Sequence, residues 1–266
     1  MRIFPRVFFS ACCLSISLSA LADNRAREVM AAVNARDDGQ QLSRTMTLEL
    51  TDRRGITRVE KTIGYRRYFG DDKKTVIFYT EPGNVRGTGF LTWDYADATV
   101  DDDQWLFLPA LRKVRRVSAS DRGDYFLGTD LSYEEVKKEN KIELADYHYR
   151  WLGEVEHEGR RLTEVEATPV NDTILREIGY SKVVYGIDTA IAMPRRIDTW
   201  DIAGNPLKTI RNQQIEQIDG IWTATEVLVV NHKTGHRTRL QFSDIDYQTA
   251  IADRVFTRQT LERGLR

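Results

Sequence analysis

Along residues 24–36 the apolar positions Ala26, Val29, Met30 and Val33 recur at the spacing of one helix face, and Asn24 stands where a cap would. Asp37-Asp38-Gly39 ends that pattern, and from Leu42 the period falls to two. Leu42, Met46, Leu48 and Leu50 point one way, while Ser43, Thr45, Thr47, Glu49 and Thr51 point the other. Arg44 is the cation that interrupts the apolar side. A turn at Asp52-Arg53-Arg54-Gly55 leads into a second alternating run through Val59, Ile63 and Tyr65. This predicts a hairpin with Met46, Leu48, Leu50, Val59 and Ile63 on one face.

Further strands are expected in TVIFYT (75–80), GFLTW (89–93), QWLFLP (104–109) and KVRRVS (113–118). Around Trp105, Leu106, Phe107 and Leu108 both faces are apolar, as in a strand covered on each side. Ser132 and Glu135 have capping-box spacing for a short helix over 131–139, entered through the Gly128-Thr129-Asp130 turn. Beyond it, turns at Glu158-Gly159, Ala203-Gly204-Asn205, Asp219-Gly220 and Lys233-Thr234-Gly235 separate more strands, such as WTATEVLVV (222–230). They follow one another too closely for crossover helices, so the sheet is antiparallel. A sheet this long must close, pair with another sheet or be covered, and with helix limited to 24–36, 131–139 and a turn at 257–263 the fold class is mainly β (α+β): a curved, partly covered half-barrel with a few short helices. A cover this thin leaves room for an apolar ligand.

The first residues read as an export signal. Arg2 and Arg6 precede an apolar run from Val7 to Leu18, and Ala20-Leu21-Ala22 is a cleavage pattern. The expected division is a signal peptide over 1–22, removed after Ala22, and one domain over 23–266. Both cysteines, Cys12 and Cys13, fall in the removed segment, so no thiol chemistry is expected of the mature chain. With 39 Lys and Arg against 40 Asp and Glu the charge is near balance, which argues against a nucleic-acid binder. A hydrophobic fraction of 41% is ample for a core.

Patterns that carry chemistry are weak. Asp101-Asp102-Asp103, near Asp94 and Asp97, lack the alternate spacing and glycine of a calcium loop and read as an exposed turn. His232 and His236 flank a hairpin tip without a third zinc ligand. Gly87-Thr88-Gly89 has no third glycine or following helix for a dinucleotide fingerprint and reads as a bend. No G-x-S-x-G elbow occurs. No catalytic residue, metal or cofactor is expected.

The ordered segments PGNVRGTGFL, DDDQWLFLPALRKVRRVS and GDYFLGTDLSYEE, lying between Pro82 and Glu135 and preceded by an alanine-type signal, resemble the outer-membrane lipoprotein-sorting family. These LolA-like proteins are often found beside resistance-nodulation-division exporters. The resemblance implies a periplasmic, LolA/LolB-like fold, a curved antiparallel sheet forming an unclosed half-barrel covered by a few short helices with a cavity for acyl chains, and an arginine on an early strand that holds the lid, for which Arg44 is the candidate. The function expected is that of a carrier, not an enzyme, which takes acyl chains of a lipid or lipoprotein from an inner-membrane exporter toward the outer membrane. The alternative is a periplasmic lipid sensor that regulates a signalling partner. Candidate cavity residues are Met46, Leu48, Leu50, Val59, Ile63, Trp105 and Phe107, and the basic run Arg112, Lys113, Arg115 and Arg116 is the candidate docking edge. The chain is expected to act as a monomer.

Overall fold

The structure is a computed structural model that describes residues 14–97, 99–118, 121–139 and 141–265, with side chains from Asp23 onward. Arg2, Arg6, Cys12 and Cys13 lie outside the described residues. Helix α1 (Leu14–Ala35) begins upstream of the expected start, so Asn24 lies within it and does not cap it. Leucine and alanine in residues 14–22 are strong helix formers, which accounts for the longer run.

The first half of the chain then forms a meander of β1 (Gln41–Thr51), β2 (Thr57–Phe69), β3 (Asp72–Glu81), β4 (Gly89–Asp94), β5 (Asp103–Leu108) and β6 (Lys113–Arg116). Helix α2 (Tyr133–Lys138) sits in the connection to the second half. That half consists of β7 (Tyr147–His157), β8 (Arg160–Pro169), a short helix α3 (Asp172–Ile178), β9 (Tyr180–Asp188), β10 (Met193–Asp201), β11 (Pro206–Ile218), β12 (Ile221–Asn231), β13 (Arg237–Asp246) and the terminal helix α4 (Arg258–Arg263). All belong to one 13-stranded antiparallel sheet in the order β6-β5-β4-β3-β2-β1-β13-β12-β11-β10-β9-β8-β7. Each half is a run of neighbouring strands, and the halves join where β1 pairs with β13. The sheet stays unclosed, with β6 and β7 as its edges.

β6 and β7 are opposite edges, and the described residues among 117–146, which connect them, cross the inner face of the half-barrel; they are called the strap below. Its first part packs by apolar contact: Val117, Phe126 and Tyr133 lie on Tyr79, Phe90 and Leu106, with the Phe90 and Phe126 rings 5.0 Å apart. Helix α1 covers the same inner face over β7–β9, where Ala26, Met30 and Val33 meet Tyr147, Val165 and Tyr185. The other face of β3–β6 is closed by Ile251, Phe256 and Leu261 packed on Val76, Phe78, Leu91 and Trp105. Gly89 permits that approach, since a Cβ there would lie 2.7 Å from Leu261 Cδ1.

The hairpin β1–β2 departs from expectation in one respect. Its loop runs over 52–56, one residue longer than the turn at 52–55, and Met46 pairs with Thr62 while Glu49 pairs with Val59. A shift of one residue exchanges the two faces of a strand. Val59 and Ile63 therefore lie on the face opposite Met46, Leu48 and Leu50. Val59 is 49% exposed, and Ile63 packs against the outer cluster beneath α4.

A cavity under a charged strap

The strap is fastened to both halves of the sheet. At its Gly-Thr-Asp turn Gly128 has φ +82, and a Cβ there would lie 2.4 Å from an Arg58 nitrogen, so the turn requires glycine. The turn delivers Asp130 into the sheet, where its carboxylate accepts from Thr238 Oγ1 (2.7 Å) and Asn231 Nδ2 (3.1 Å) and lies 2.6 Å from His236 Nδ1. The buried Lys208 ammonium donates to the Asp130 carbonyl (2.7 Å) and to Glu135 Oε2 (2.6 Å). Glu135 also closes the capping box with Ser132 that the spacing predicted, and accepts from Tyr180 Oη at 2.7 Å.

Past α2 the fastening turns to the first half. Lys137, with no exposed side chain, is surrounded by Glu134 (2.8 Å), Asp94 (3.6 Å) and Asp102. Burial alone would lower the Lys137 pKa, but these three carboxylates raise it, so the side chain stays charged. Lys73 adds a 3.0 Å contact to Asp94. The acidic cluster thus holds a buried lysine through Asp94 and Asp102, while Asp103 pairs with Arg116 at 2.6 Å; the exposed-turn expectation holds for Asp101 alone of those three. Glu139, just after α2, meets Arg44 at 2.5 Å and Arg66 at 3.2 Å. Burial would raise the Glu139 carboxyl; Arg44 and Arg66 overcome this and hold it down at about 2. Asp38 binds Arg66 (2.6 Å) and Lys141 (3.1 Å), and Asn34 of α1 donates to the Ile142 carbonyl at 2.6 Å.

Between strap and sheet lies a cavity of about 210 Å³. Its apolar wall comes from Leu42, Met46 and Leu48 on β1, Ile77 on β3, Val227 on β12, and Leu240 and Phe242 on β13, with Phe126, Leu131 and Val136 of the strap opposite. Met193, Ile197 and Ile210 extend it into the second half. One end is charged, formed by Asp38, Arg44, Arg66 and Glu139.

Among the residues singled out in the sequence, Met46 and Leu48 line this cavity, and Leu50 packs in the same inner cluster. Val59, Ile63, Trp105 and Phe107 do not reach it. Trp105 and Phe107 lie on the outer face beneath α4, and the inner-face residues of β5, Gln104 and Leu106, pack against the strap. Arg44 lies at the charged end, and its guanidinium covers the Phe242 ring at 4.3 Å. Arg112 is not on β6: it ends a short 3-10 turn over Pro109–Leu111 in the left-handed region, and Lys113 to Arg116 form the edge strand. Sequence reasoning had no place for Arg66, Glu139, Asp130 or Lys208. A signal for Arg66 was present: Glu60, Thr62 and Arg66 alternate on β2 as polar residues opposite the apolar run of β1.

A model of a family described as uncharacterized proteins matches residues 71–263. No curated protein matches the chain. Among solved structures, it is similar to a domain described as outer membrane lipoprotein-sorting from Vibrio parahaemolyticus, with 28% identity over 91% of this chain and 100% of that one and a TM-score of 0.81. A DUF1329 family protein from Desulfovibrio piger shares 26% identity over 90% of this chain and 99% of its own, with a TM-score of 0.83. A LolA superfamily protein from Nitrosomonas europaea, at 18% identity, covers 88% of this chain and 98% of its own with a TM-score of 0.66, a likeness of fold.

Proposed function

The chain belongs to the family whose model spans residues 71–263, one with the LolA-like fold of lipoprotein-sorting domains, and from that premise we propose that it is a periplasmic, non-catalytic carrier of lipid or lipoprotein acyl chains. The observation that carries this reading is an apolar cavity whose cover is held on by ion pairs. At about 210 Å³ the space exceeds the roughly 150 Å³ that accepts a benzene ring, and in this reading the strap lifts to lengthen it for an acyl chain. Each methylene moved from water into such a site contributes roughly 0.8 kcal/mol, so several suffice to offset the loss of a few strap contacts. Arg44, together with Arg66, acts as the latch by holding Glu139.

In this reading the chain receives its cargo from an inner-membrane exporter and hands it toward the outer membrane, and a signal over 1–22, cleaved after Ala22, delivers it to the periplasm. Docking uses the β6 edge, where Arg112, Lys113 and Arg115 are exposed and Arg116 is paired with Asp103. The test is mass spectrometry of lipid extracted from protein purified out of the periplasm. Acylated species bound in stoichiometric amount, and lost in a Leu48→Glu variant that remains folded, are the expected result. Protein that carries no lipid and binds no fluorescent acyl probe would contradict the carrier reading.

A further inference from the structure

On the inner face of β1–β3 the register builds a patch of three strands by three rows. Leu42, Arg66 and Thr75 form one row, Arg44, Gly64 and Ile77 the next, and Met46, Thr62 and Tyr79 the third. The centre of the patch has no side chain. A Cβ built on Gly64 would meet nothing nearer than Ile77 Cγ1 at 3.8 Å, so the glycine leaves a niche in the cavity wall. Around it stand three buried polar atoms without a hydrogen-bond partner: Thr62 Oγ1, Thr75 Oγ1 and Arg66 Nε, on residues 1%, 5% and 3% exposed. All three residues line the cavity. Buried polar groups are almost always paired in native proteins, and unpaired ones call for an explanation.

The geometry points to a niche for the polar root of an acyl chain, an uncharged ester or amide carbonyl seated over Gly64 with its hydrocarbon running along Met46 and Leu48. This rests on the carrier reading of the cavity and specifies the class of cargo. Two hydroxyls and one guanidinium N–H are available as donors, which suits an acceptor oxygen. A charged headgroup or free carboxylate fits less well, because Arg44, Arg66 and Lys141 are each already paired with Asp38 or Glu139. An added anion would have to draw one of those cations from its carboxylate partner, whereas the two threonine hydroxyls are open to a neutral acceptor.

Two probes with the same chain, methyl laurate and laurate, distinguish the cases by displacement of an environment-sensitive apolar dye from the purified protein. The ester is expected to displace the dye at about tenfold lower concentration than the acid, the scale of one well-made hydrogen bond. Thr62→Val and Thr75→Val keep side-chain shape and remove the hydroxyl; the two stand in rows on opposite sides of Gly64, and loss of the one that bonds the carbonyl should reduce that preference by about threefold to tenfold. Thr75→Ser retains the hydroxyl and should preserve the preference. Gly64→Leu, which fills the niche without requiring a strained backbone, should weaken both probes. Equal displacement by ester and acid, or an undiminished preference in both valine variants, overturns the niche and leaves the carrier reading standing. Failure of the dye and both probes to bind the wild-type protein overturns the carrier reading and the niche with it.

Discussion

The sheet has a cover on each face, and the two are attached by different forces. On the outer face, Ile251, Phe256 and Leu261 sit in a continuous apolar cluster, and the Trp93 indole N–H donates to the Phe256 carbonyl at 3.0 Å. On the inner face, the strap packs by apolar contact at its start, around Phe126 and Tyr133, and at its end, where Ile142 and Leu144 join the α1 cluster, while between them Glu134, Lys137, Glu139 and Lys141 hold it by charge. Apolar burial has no substitute partner in water, whereas an ion pair that opens exchanges one polar contact for another. The outer cover is therefore the more permanent one, and in the proposed carrier the inner one would lift against its ion pairs while its apolar ends hold.

The most damaging test of this contrast is on the outer side. Phe256→Ala removes a ring that is 1% exposed and stands edge-on to Phe69 at 5.5 Å, and it should cost roughly 3–5 kcal/mol of global stability in urea unfolding. Glu139→Gln on the inner side should cost about 1.5–3 kcal/mol, felt locally. Amides of α2 and the residues after it should then exchange faster with deuterium, while the urea midpoint moves far less than in Phe256→Ala. A midpoint shift as large as that of the phenylalanine variant would mean that both covers are permanent.

The same latch has a sign in pH. The Glu139 carboxyl is held at about 2 in the folded chain, below the roughly 4.3 of an unfolded one. Its contribution is thus fully present above the unfolded value and is lost as pH falls toward about 2. The stability difference between wild type and Glu139→Gln should be constant from pH 7 to about 5 and shrink below. Glu134 and Asp94 are lowered as well: burial would raise them, and the lysines around them prevail, so the charged stretch of the strap that these carboxylates hold should loosen in acid. The smallest effect is expected at the β6 edge. Arg112→Gln with Arg116→Gln should change stability by about 0.5 kcal/mol or less, while association with anionic vesicles weakens at low salt.

The antiparallel sheet, α2 with its capping box and a turn of helix near α4 could be read from alternation and turn chemistry, because these are local; the open form came with the family resemblance, since closure depends on which distant strands pair. Helix α3 could not: its seven residues are too few to show a period, and it is held by the Asn171 side chain at one end and by Gly179 at the other. The error at Val59 and Ile63 is of another kind. Alternation reveals which residues share a face, while the residue that shifts the pairing, here Ile56 in the loop, decides which face turns inward. Arg66 and Glu139 escaped for a third reason. They are far apart in the chain and meet only because the strap crosses between opposite edges, a consequence of strand order that no local pattern contains.

The seam between β1 and β13 also governs the sequence of events in assembly. Each half-meander can form from neighbouring hairpins, but Ser43 must wait for Asp246, and Thr51 for Arg237, before the sheet becomes continuous. Pairings this distant are slow, and until they form β1 is an unprotected edge. The strap straddles that seam, with Asp130 tied to Thr238 of β13 and Glu139 to Arg44 of β1. Its two fastenings come into register only after the halves have joined, so the cavity is incomplete until the final strand has paired with the first.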